Sequence, residues 1–260
     1  MSLLGVLRAR FEQGHRTAAL PALEAALPDR YRGLPVLDPA RCADGCRECA
    51  RVCPTDAMPV GGLAIDLGRC IFCGECVSAC PPGAIAFSRD HRLAARTRAE
   101  LVVARDVRPR MRALADETRR LFGRSLKLRQ VSAGGCNACE ADTNVLGTVV
   151  YDLGRFGVQF VASPRHADGL LVTGPVTRNM ELALRKTYEA VPAPRLVIAV
   201  GACAISGGPY AGHEEVKGGA EAVVPVDLFV PGCPPHPLTI LDGLLRLLGR
   251  LDESPTRRER

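Results

Sequence analysis

The sequence has no tryptophan, and aromatic residues are only 4% of it, so its core must be built from Ala, Val, Leu and Ile. It has no long hydrophobic run. The longest, about Leu196 to Ile205, contains Gly201. A membrane-spanning helix needs about 20 consecutive apolar residues, so no bilayer crossing is expected. The first apolar stretch, Ser2 to Leu7, is too short for a secretory signal and runs into Arg8 and Arg10, so no signal peptide is expected. There is no G-x-G-x-x-G dinucleotide loop and no G-x-x-x-x-G-K-S/T phosphate loop, so neither nucleotide nor flavin is expected. The five histidines, His15, His91, His166, His213 and His236, form no metal-spaced pair.

The ordinary balance of 47% apolar and 24% charged residues excludes a disordered or collagen-like chain. The net charge of +6 is mild. It suits an acidic partner, an anionic lipid surface or anionic clusters, and does not by itself imply nucleic acid.

What the sequence has in abundance is cysteine, twelve in all. Without an export signal the chain is expected in a reducing compartment, where disulfides are rare and many cysteines point to metal. Twelve divides into three sets of four, the number that holds a 4Fe–4S cube.

Eight of the twelve lie between Cys42 and Cys80, in an internal repeat. Asp38-Pro39-Ala40-Arg41-Cys42 matches Asp66-Leu67-Gly68-Arg69-Cys70. Cys46, Cys49 and Cys53 recur 27 residues later as Cys73, Cys76 and Cys80, and each last cysteine precedes a proline, Pro54 or Pro81. Short apolar stretches follow, Met58 to Ile65 and Ala84 to Phe87, and read as small strands of two units packed about a pseudo-twofold axis.

Cys70-x2-Cys73-x2-Cys76-x3-Cys80-Pro81 is the bacterial ferredoxin run. In that run three thiolates surround one cube and the fourth reaches the other. One cluster is then Cys42, Cys46, Cys49 and Cys80, and the next is Cys70, Cys73, Cys76 and Cys53. Zinc modules use two cysteine pairs with a longer gap, and fit this run poorly. The first repeat departs from the pattern, because Ala43-Asp44-Gly45 separates Cys42 from Cys46. Gly45 is expected to absorb the insertion in a conformation closed to other residues. A domain of about sixty residues is near the lower limit for folding alone, so its clusters should supply much of its stability.

Residues 89 to 129 hold twelve arginines, and Pro109 to Phe122 reads as a helix ended by Gly123. From Leu126 onward strands and helices alternate. Strands are expected at Leu126–Val131, Val158–Ala162, Gly169–Thr173, Leu196–Val200 and Val226–Val230. Helices are expected at Glu140–Phe156, Thr177–Ala190 and His236–Leu248. The pattern implies a parallel sheet covered on both faces. Near the N-terminus Leu3, Leu4, Leu7 and Phe11 fall on one helical face, which suits an amphipathic anchor or a short docking helix.

The last four cysteines are individually weaker signals. Cys136 and Cys139 alone fit a redox pair or half a zinc site, and Cys203 and Cys233 alone fit buried small hydrophobes. All four follow expected strands, where open α/β sheets bind ligands. Adjacent glycines there let backbone N–H groups approach cluster sulfurs. A third cube is therefore expected at Cys136, Cys139, Cys203 and Cys233.

Five motifs in order carry a family resemblance: Gly135-Cys136-Asn137-Ala138-Cys139-Glu140, Ser163-Pro164-Arg165-His166-Ala167-Asp168, Thr173-Gly174-Pro175-Val176-Thr177, Gly201-Ala202-Cys203 and Pro231-Gly232-Cys233-Pro234-Pro235. Together they resemble the family that holds the 20 kDa subunit of NADH–quinone oxidoreductase (complex I) and the small subunit of nickel–iron hydrogenases, over roughly Leu126 to Leu248. The resemblance implies a flavodoxin-like fold and one 4Fe–4S cluster at the four matching cysteines. Complex I subunits carry two adjacent cysteines at the first position. Here Asn137-Ala138 separates them, which resembles the hydrogenase type, and most of all the small subunit of membrane-bound energy-converting hydrogenases such as formate hydrogenlyase. Tyr31-Arg32-Gly33 resembles the lead-in of the ferredoxin subunit that feeds those proteins, so two subunits look fused.

The expected organisation is an N-terminal docking or amphipathic segment (1–30), an α+β two-cluster ferredoxin domain (31–90), an Arg-rich helical linker (91–124), an α/β flavodoxin-like domain with a parallel sheet (125–250) and a charged tail (251–260). The expected cofactors are three 4Fe–4S clusters, with no nickel on this chain. No bond-making site is visible, so catalysis should belong to a partner. The resemblance implies a hydrogenase large subunit or a complex I 49 kDa-like subunit, membrane-arm subunits, and a formate dehydrogenase or ferredoxin donor. It places the chain peripherally on the cytoplasmic side of the inner membrane. The alternatives are the quinone-linked member of the same family (an NADH–quinone oxidoreductase-type 20 kDa subunit), a free soluble ferredoxin-like carrier and a basic zinc module for nucleic acid. Glu140 opens a helix, where a carboxylate is favoured, and the resemblance adds a proton-relay role. His166 is expected to be structural.

Overall fold

The computed structural model describes residues 2–14, 16–18, 27–59, 63–104, 114, 116–122 and 124–251. Its first element is a helix, α1 (Leu3–Gln13), capped by Ser2, whose Oγ accepts the Gly5 N–H at 3.2 Å. No residue of α1 is buried, and Leu3, Leu4, Leu7 and Phe11 are all exposed. Among the described residues none covers this apolar flank.

Both halves of the cysteine repeat begin with the same turn. Asp38 Oδ1 accepts the Ala40 N–H at 3.1 Å, and Asp66 Oδ1 accepts the Gly68 N–H at 2.9 Å. One short helix follows in each half, α2 (Glu48–Arg51) and α3 (Glu75–Ser78). Four small strands surround them: β1 (Pro35–Leu37), β2 (Ala64–Asp66), β3 (Ile85–Phe87) and β4 (Val102–Ala104). β1 pairs antiparallel with β3, and β2 pairs antiparallel with β4. The strand expected at Met58 to Ile65 starts only at Ala64, and residues 60–62 lie outside the described ones.

β4 corrects the reading of 91–124 as a helical linker. The arginines there drew attention from the apolar run Leu101-Val102-Val103, in which Leu101 and Val103 are buried. Arg98 anchors the segment by donating two bonds, of 2.6 and 2.5 Å, to the Asp66 carboxylate. The helix expected at Pro109–Phe122 is described only as α4 (Asp116–Phe122); 109–113 and 115 lie outside the described residues. The expected tail also lies outside them from 252 onward.

The C-terminal half forms β5 (Leu126–Ser132), β6 (Val158–Phe160), β7 (Gly169–Thr173), β8 (Leu196–Val200) and β9 (Leu228–Val230), with α5 (Ala138–Val145), α6 (Arg178–Ala190), α7 (Ala202–Ser206) and α8 (Pro237–Leu247). All neighbours in the sheet are parallel, in the order β6-β5-β7-β8-β9. That is the flavodoxin-like order, with its switch point between β5 and β7. The spans of β7 and β8 agree with the sequence reading because both strands are apolar and buried throughout. The helix expected at Glu140–Phe156 instead ends at Val145. Thr148 Oγ1 donates to Val145 O at 2.7 Å, Asp152 takes a left-handed φ of 45°, and only a 3-10 turn, Leu153–Phe156, follows. α7 is an addition to the sequence reading.

Strand alternation divides the core in two. Leu170, Val172, Val197, Ala199 and Phe229 face one side, and Leu171, Ile198, Val200, Leu228 and Val230 face the other, under α8. The first side shares a single apolar core with Leu34, Ile65, Leu67, Ile85, Leu101 and Val103 of the cysteine-rich part. The two halves are thus packed as one body, and this core stabilises the small ferredoxin part in addition to any cluster. Ala95 exchanges two backbone hydrogen bonds with Phe229, of 3.0 and 2.9 Å, and closes the outer edge of β9.

Candidate iron–sulfur sites

Cys53, Cys70, Cys73 and Cys76 line one small cavity with Ile65 and Ile71. Cys53 arrives from the first repeat, Cys70 and Cys73 from the loop into α3, and Cys76 from α3 itself. The Phe72 N–H donates to Cys70 Sγ and the Ala57 N–H to Cys53 Sγ, both at 3.3 Å. Such bonds to sulfur hold negative charge and raise a cluster's potential. Burial pushes the Cys70 thiol up to about 12 and the Cys76 thiol up to about 11, with neighbouring cysteines adding to the effect.

Cys42, Cys46 and Cys49 line a second cavity, together with the inserted Ala43, Asp44 and Gly45. Gly45 has a φ of 74°, and the Cys46 N–H closes a turn on Ala43 O at 3.1 Å. The extra residue is therefore accommodated in a tight turn. Cys80, the fourth candidate of this set, follows α3 and is half-buried.

The remaining four thiols gather at the carboxyl ends of β5, β8 and β9. Cys136 follows β5, Cys139 lies in the first turn of α5, Cys203 lies in α7 and Cys233 follows β9. Asn137, between the first two, adopts a left-handed φ of 72°, which Asn tolerates better than most residues. Burial, then Cys203, Glu140, Cys233 and Cys136, pushes the Cys139 thiol strongly up. Burial likewise raises Cys203, to about 11, with Cys233 and Cys136 next in effect. Cys136 and Cys233 are exposed, so this end of the sheet is open. Gly201 keeps the space among the thiols clear. Its φ is 92°, and a Cβ built there would lie 2.5 Å from Cys139 Sγ.

The Cys53/Cys70/Cys73/Cys76 set, which lines one cavity, and the four thiols at the sheet end have the all-thiolate chemistry of an iron–sulfur site, and Cys42, Cys46 and Cys49 offer three such donors around another cavity. A cationic iron core would offset the charge of bound thiolates, and binding it would release their protons. A bound cluster would supply one-electron storage, and the protein would supply its position, hydrogen bonds and burial.

Glu140 is buried, and its Oε1 accepts the Ser132 hydroxyl at 2.5 Å and the Thr173 hydroxyl at 2.7 Å. It ties α5 to β5 and β7 beside the switch point. Thr173 opens one of the five motifs, but its pairing with Glu140, 33 residues away, has no sequence signal. Glu140→Ala leaves both hydroxyls without this acceptor and is expected to cost about 1–3 kcal/mol, while Glu140→Gln should recover most of that. Denaturant unfolding of the three proteins checks this. His166 is exposed in a 3-10 turn, Pro164–His166.

A further cavity lies between the second and third groups of loops. Ile71 and Phe72, from the Cys70–Cys73 loop, line one side of it, and Cys233 to His236 line the other. Tyr31 and Arg32 reach into the same space.

Comparisons with known proteins cover both parts of the chain. Residues 63–86 match a 4Fe-4S binding domain, and residues 136–247 match the family described as NADH ubiquinone oxidoreductase, 20 Kd subunit. A probable membrane-bound hydrogenase subunit of Pyrococcus furiosus, mbhJ, is 43% identical over 51% of this chain and 79% of that one. Formate hydrogenlyase subunit 7 of Escherichia coli is 42% identical over 50% of this chain, which spans about half of that relative (51%). An NADH-quinone oxidoreductase subunit of Heliobacterium modesticaldum is 40% identical over 46% of this chain and 69% of that one. The chain therefore belongs to the family of the 20 kDa NADH-quinone oxidoreductase subunit and the hydrogenase small subunit, joined to a 4Fe–4S ferredoxin domain, and is an iron–sulfur electron-transfer subunit of that complex I-like class.

Proposed function

We propose that this chain is the electron relay of a membrane-associated nickel–iron hydrogenase complex of the formate hydrogenlyase type. In this reading three 4Fe–4S clusters are held by Cys42, Cys46, Cys49 and Cys80; by Cys53, Cys70, Cys73 and Cys76; and by Cys136, Cys139, Cys203 and Cys233. Electrons travel between the first set and the third by way of the second, in either direction. A partner large subunit, carrying the nickel, seats on the open end of the sheet and makes or breaks the substrate bond. The complex lies peripherally on the cytoplasmic face of the inner membrane, and Glu140 serves proton traffic toward the partner.

What supports this reading is the cavity lined on one hand by Ile71 and Phe72, from the loop between Cys70 and Cys73, and on the other by Cys233 to His236. The two-residue gap between Cys136 and Cys139 favours the hydrogenase branch over the quinone-linked one. Among the described residues no helix is long and apolar enough to cross a membrane, so a membrane hold would come from partners or from α1.

The test is purification from native membranes under anaerobic conditions. The expected result is co-migration with a large subunit carrying two C-x-x-C pairs, and about twelve iron atoms in this chain, four per cube. A partner without those pairs moves the assignment to a quinone-linked complex. Migration alone makes the chain a free carrier, and a value near eight iron removes one cluster.

A further inference from the structure

The sequence singles out Tyr31-Arg32-Gly33, and nothing in the relay described so far uses it. In the structure these three residues touch both sides of the gap between the second and third thiol groups. Arg32 leans on the Cys70–Cys76 loop. Its Nη1 donates to Phe72 O at 3.0 Å, and its guanidinium is so close to Gly74 that a Cβ there would meet Nε, Cζ and Nη2 at 3.0–3.1 Å. Tyr31 leans the other way. Its hydroxyl lies 3.4 Å from Thr239 Oγ1 of α8, and its ring meets the His236 ring edge-on with centroids 5.4 Å apart. His236 in turn caps α8 directly after the Cys233 loop, accepting the Leu238 N–H on Nδ1 at 3.2 Å. Gly33 presses the backbone onto the body. Its N–H donates to Ser88 O at 2.8 Å, and a Cβ would sit 2.2 Å from Asp90 O.

We propose that Tyr31-Arg32-Gly33 is a strap that positions the second cluster against the third, and that the Arg32 cation sets the second cluster's reduction potential. The inference rests on the ligand assignment proposed above. When the Cys53/Cys70/Cys73/Cys76 centre takes up one electron, it becomes one unit more negative. A fixed cation on its loop favours that state, and the hydrogen bond to Phe72 O holds the cation in place. Among the described residues no ion pair to Arg32 is formed, and Glu75, next to Gly74, is the acidic neighbour on the same loop. Asp90 is held by Arg92 at 2.6 Å, and Asp142 and Arg30 contribute one charge of each sign to the cavity wall. Arg32 is exposed, so solvent screening keeps the effect modest. Arg32 is thus a positioning and potential-setting residue, and no bond to iron is required of it.

The experiment is a redox titration of the full chain, followed by electron paramagnetic resonance, for the unsubstituted protein, Arg32→Met, Arg32→Gln and Arg32→Lys. Arg32→Met is expected to shift the reduction equilibrium of the Cys70-side centre three- to tenfold toward the oxidised form, about 30 to 60 mV downward for a one-electron couple. The Cys42-side centre should keep its potential. Arg32→Lys should restore most of the shift, and Arg32→Gln, which keeps a donor for Phe72 O without the charge, should resemble Arg32→Met. If Arg32→Met fails to load, Arg32→Gln decides. An unchanged potential in Arg32→Gln overturns the proposal, as do an equal shift in Arg32→Lys and a uniform shift of every centre. Failure of the ligand assignment has a different signature: the unsubstituted chain would show no signal from the Cys70-side centre.

Discussion

Replacing Cys53 by serine is expected to abolish the centre at Cys70, Cys73 and Cys76, although Cys53 belongs by sequence to the other repeat. The reason is geometric. Three thiols of one tight loop surround a cube on one side only, and its fourth corner needs a ligand from elsewhere. Cys53 lines the same cavity as Cys70, Cys73 and Cys76 and is aimed by the Ala57 N–H at its sulfur. By the same logic, Cys80→Ser should damage the Cys42/Cys46/Cys49 centre and spare its neighbour. Iron analysis of each variant should fall from about twelve toward about eight per chain, and resonance spectra should identify the missing centre. Loss of the Cys42-side centre in Cys53→Ser would overturn the crossed assignment.

The second large effect is expected from one methyl group. Gly201→Ala should empty the sheet-end site and leave the ferredoxin part loaded. Two causes act together. A φ of 92° is strained for any residue with a side chain, and the new Cβ would stand 2.5 Å from Cys139 Sγ. The loop is fixed by the Gly201 N–H bond to Val230 O and the Ala202 N–H bond to Gly232 O, both 2.8 Å, so it cannot retreat cheaply. Iron should again fall to about eight, from three cubes to two, while the far-ultraviolet spectrum keeps its helical shape. Full retention of the third centre would mean that Cys139 has room to move and that its place in the donor set is wrong.

Both predictions draw on features that were unequally visible in the sequence. The ferredoxin repeat was legible because its meaning lies in local spacing, which survives any tertiary context. β7 and β8 were legible because runs such as Gly169–Thr173 and Leu196–Val200 are buried on both faces. β4 was obscured by the arginines around it, and the end of α5 by a pattern that continues helically past Val145 while the chain turns at Thr148. Contacts made across long chain separations were invisible. Arg32 reaches Phe72 across 40 residues, and Tyr31 reaches Thr239 across 208. No periodicity encodes such pairs, although Tyr31-Arg32-Gly33 is singled out by its resemblance to a ferredoxin lead-in.

The antiparallel bridge between Ala95 and Phe229 carries a mechanical consequence. A carrier tethered by a loose linker must diffuse back and forth, and its turnover slows as the solvent thickens. Here the bridge, the Ser206 Oγ bond to Gly68 O at 2.8 Å and the common core clamp the ferredoxin part and the sheet domain into one body. If both regions hold clusters as proposed, solvent viscosity would find no swinging arm among the described residues, and the hop between them would be governed by tunnelling across a gap that folding has already fixed.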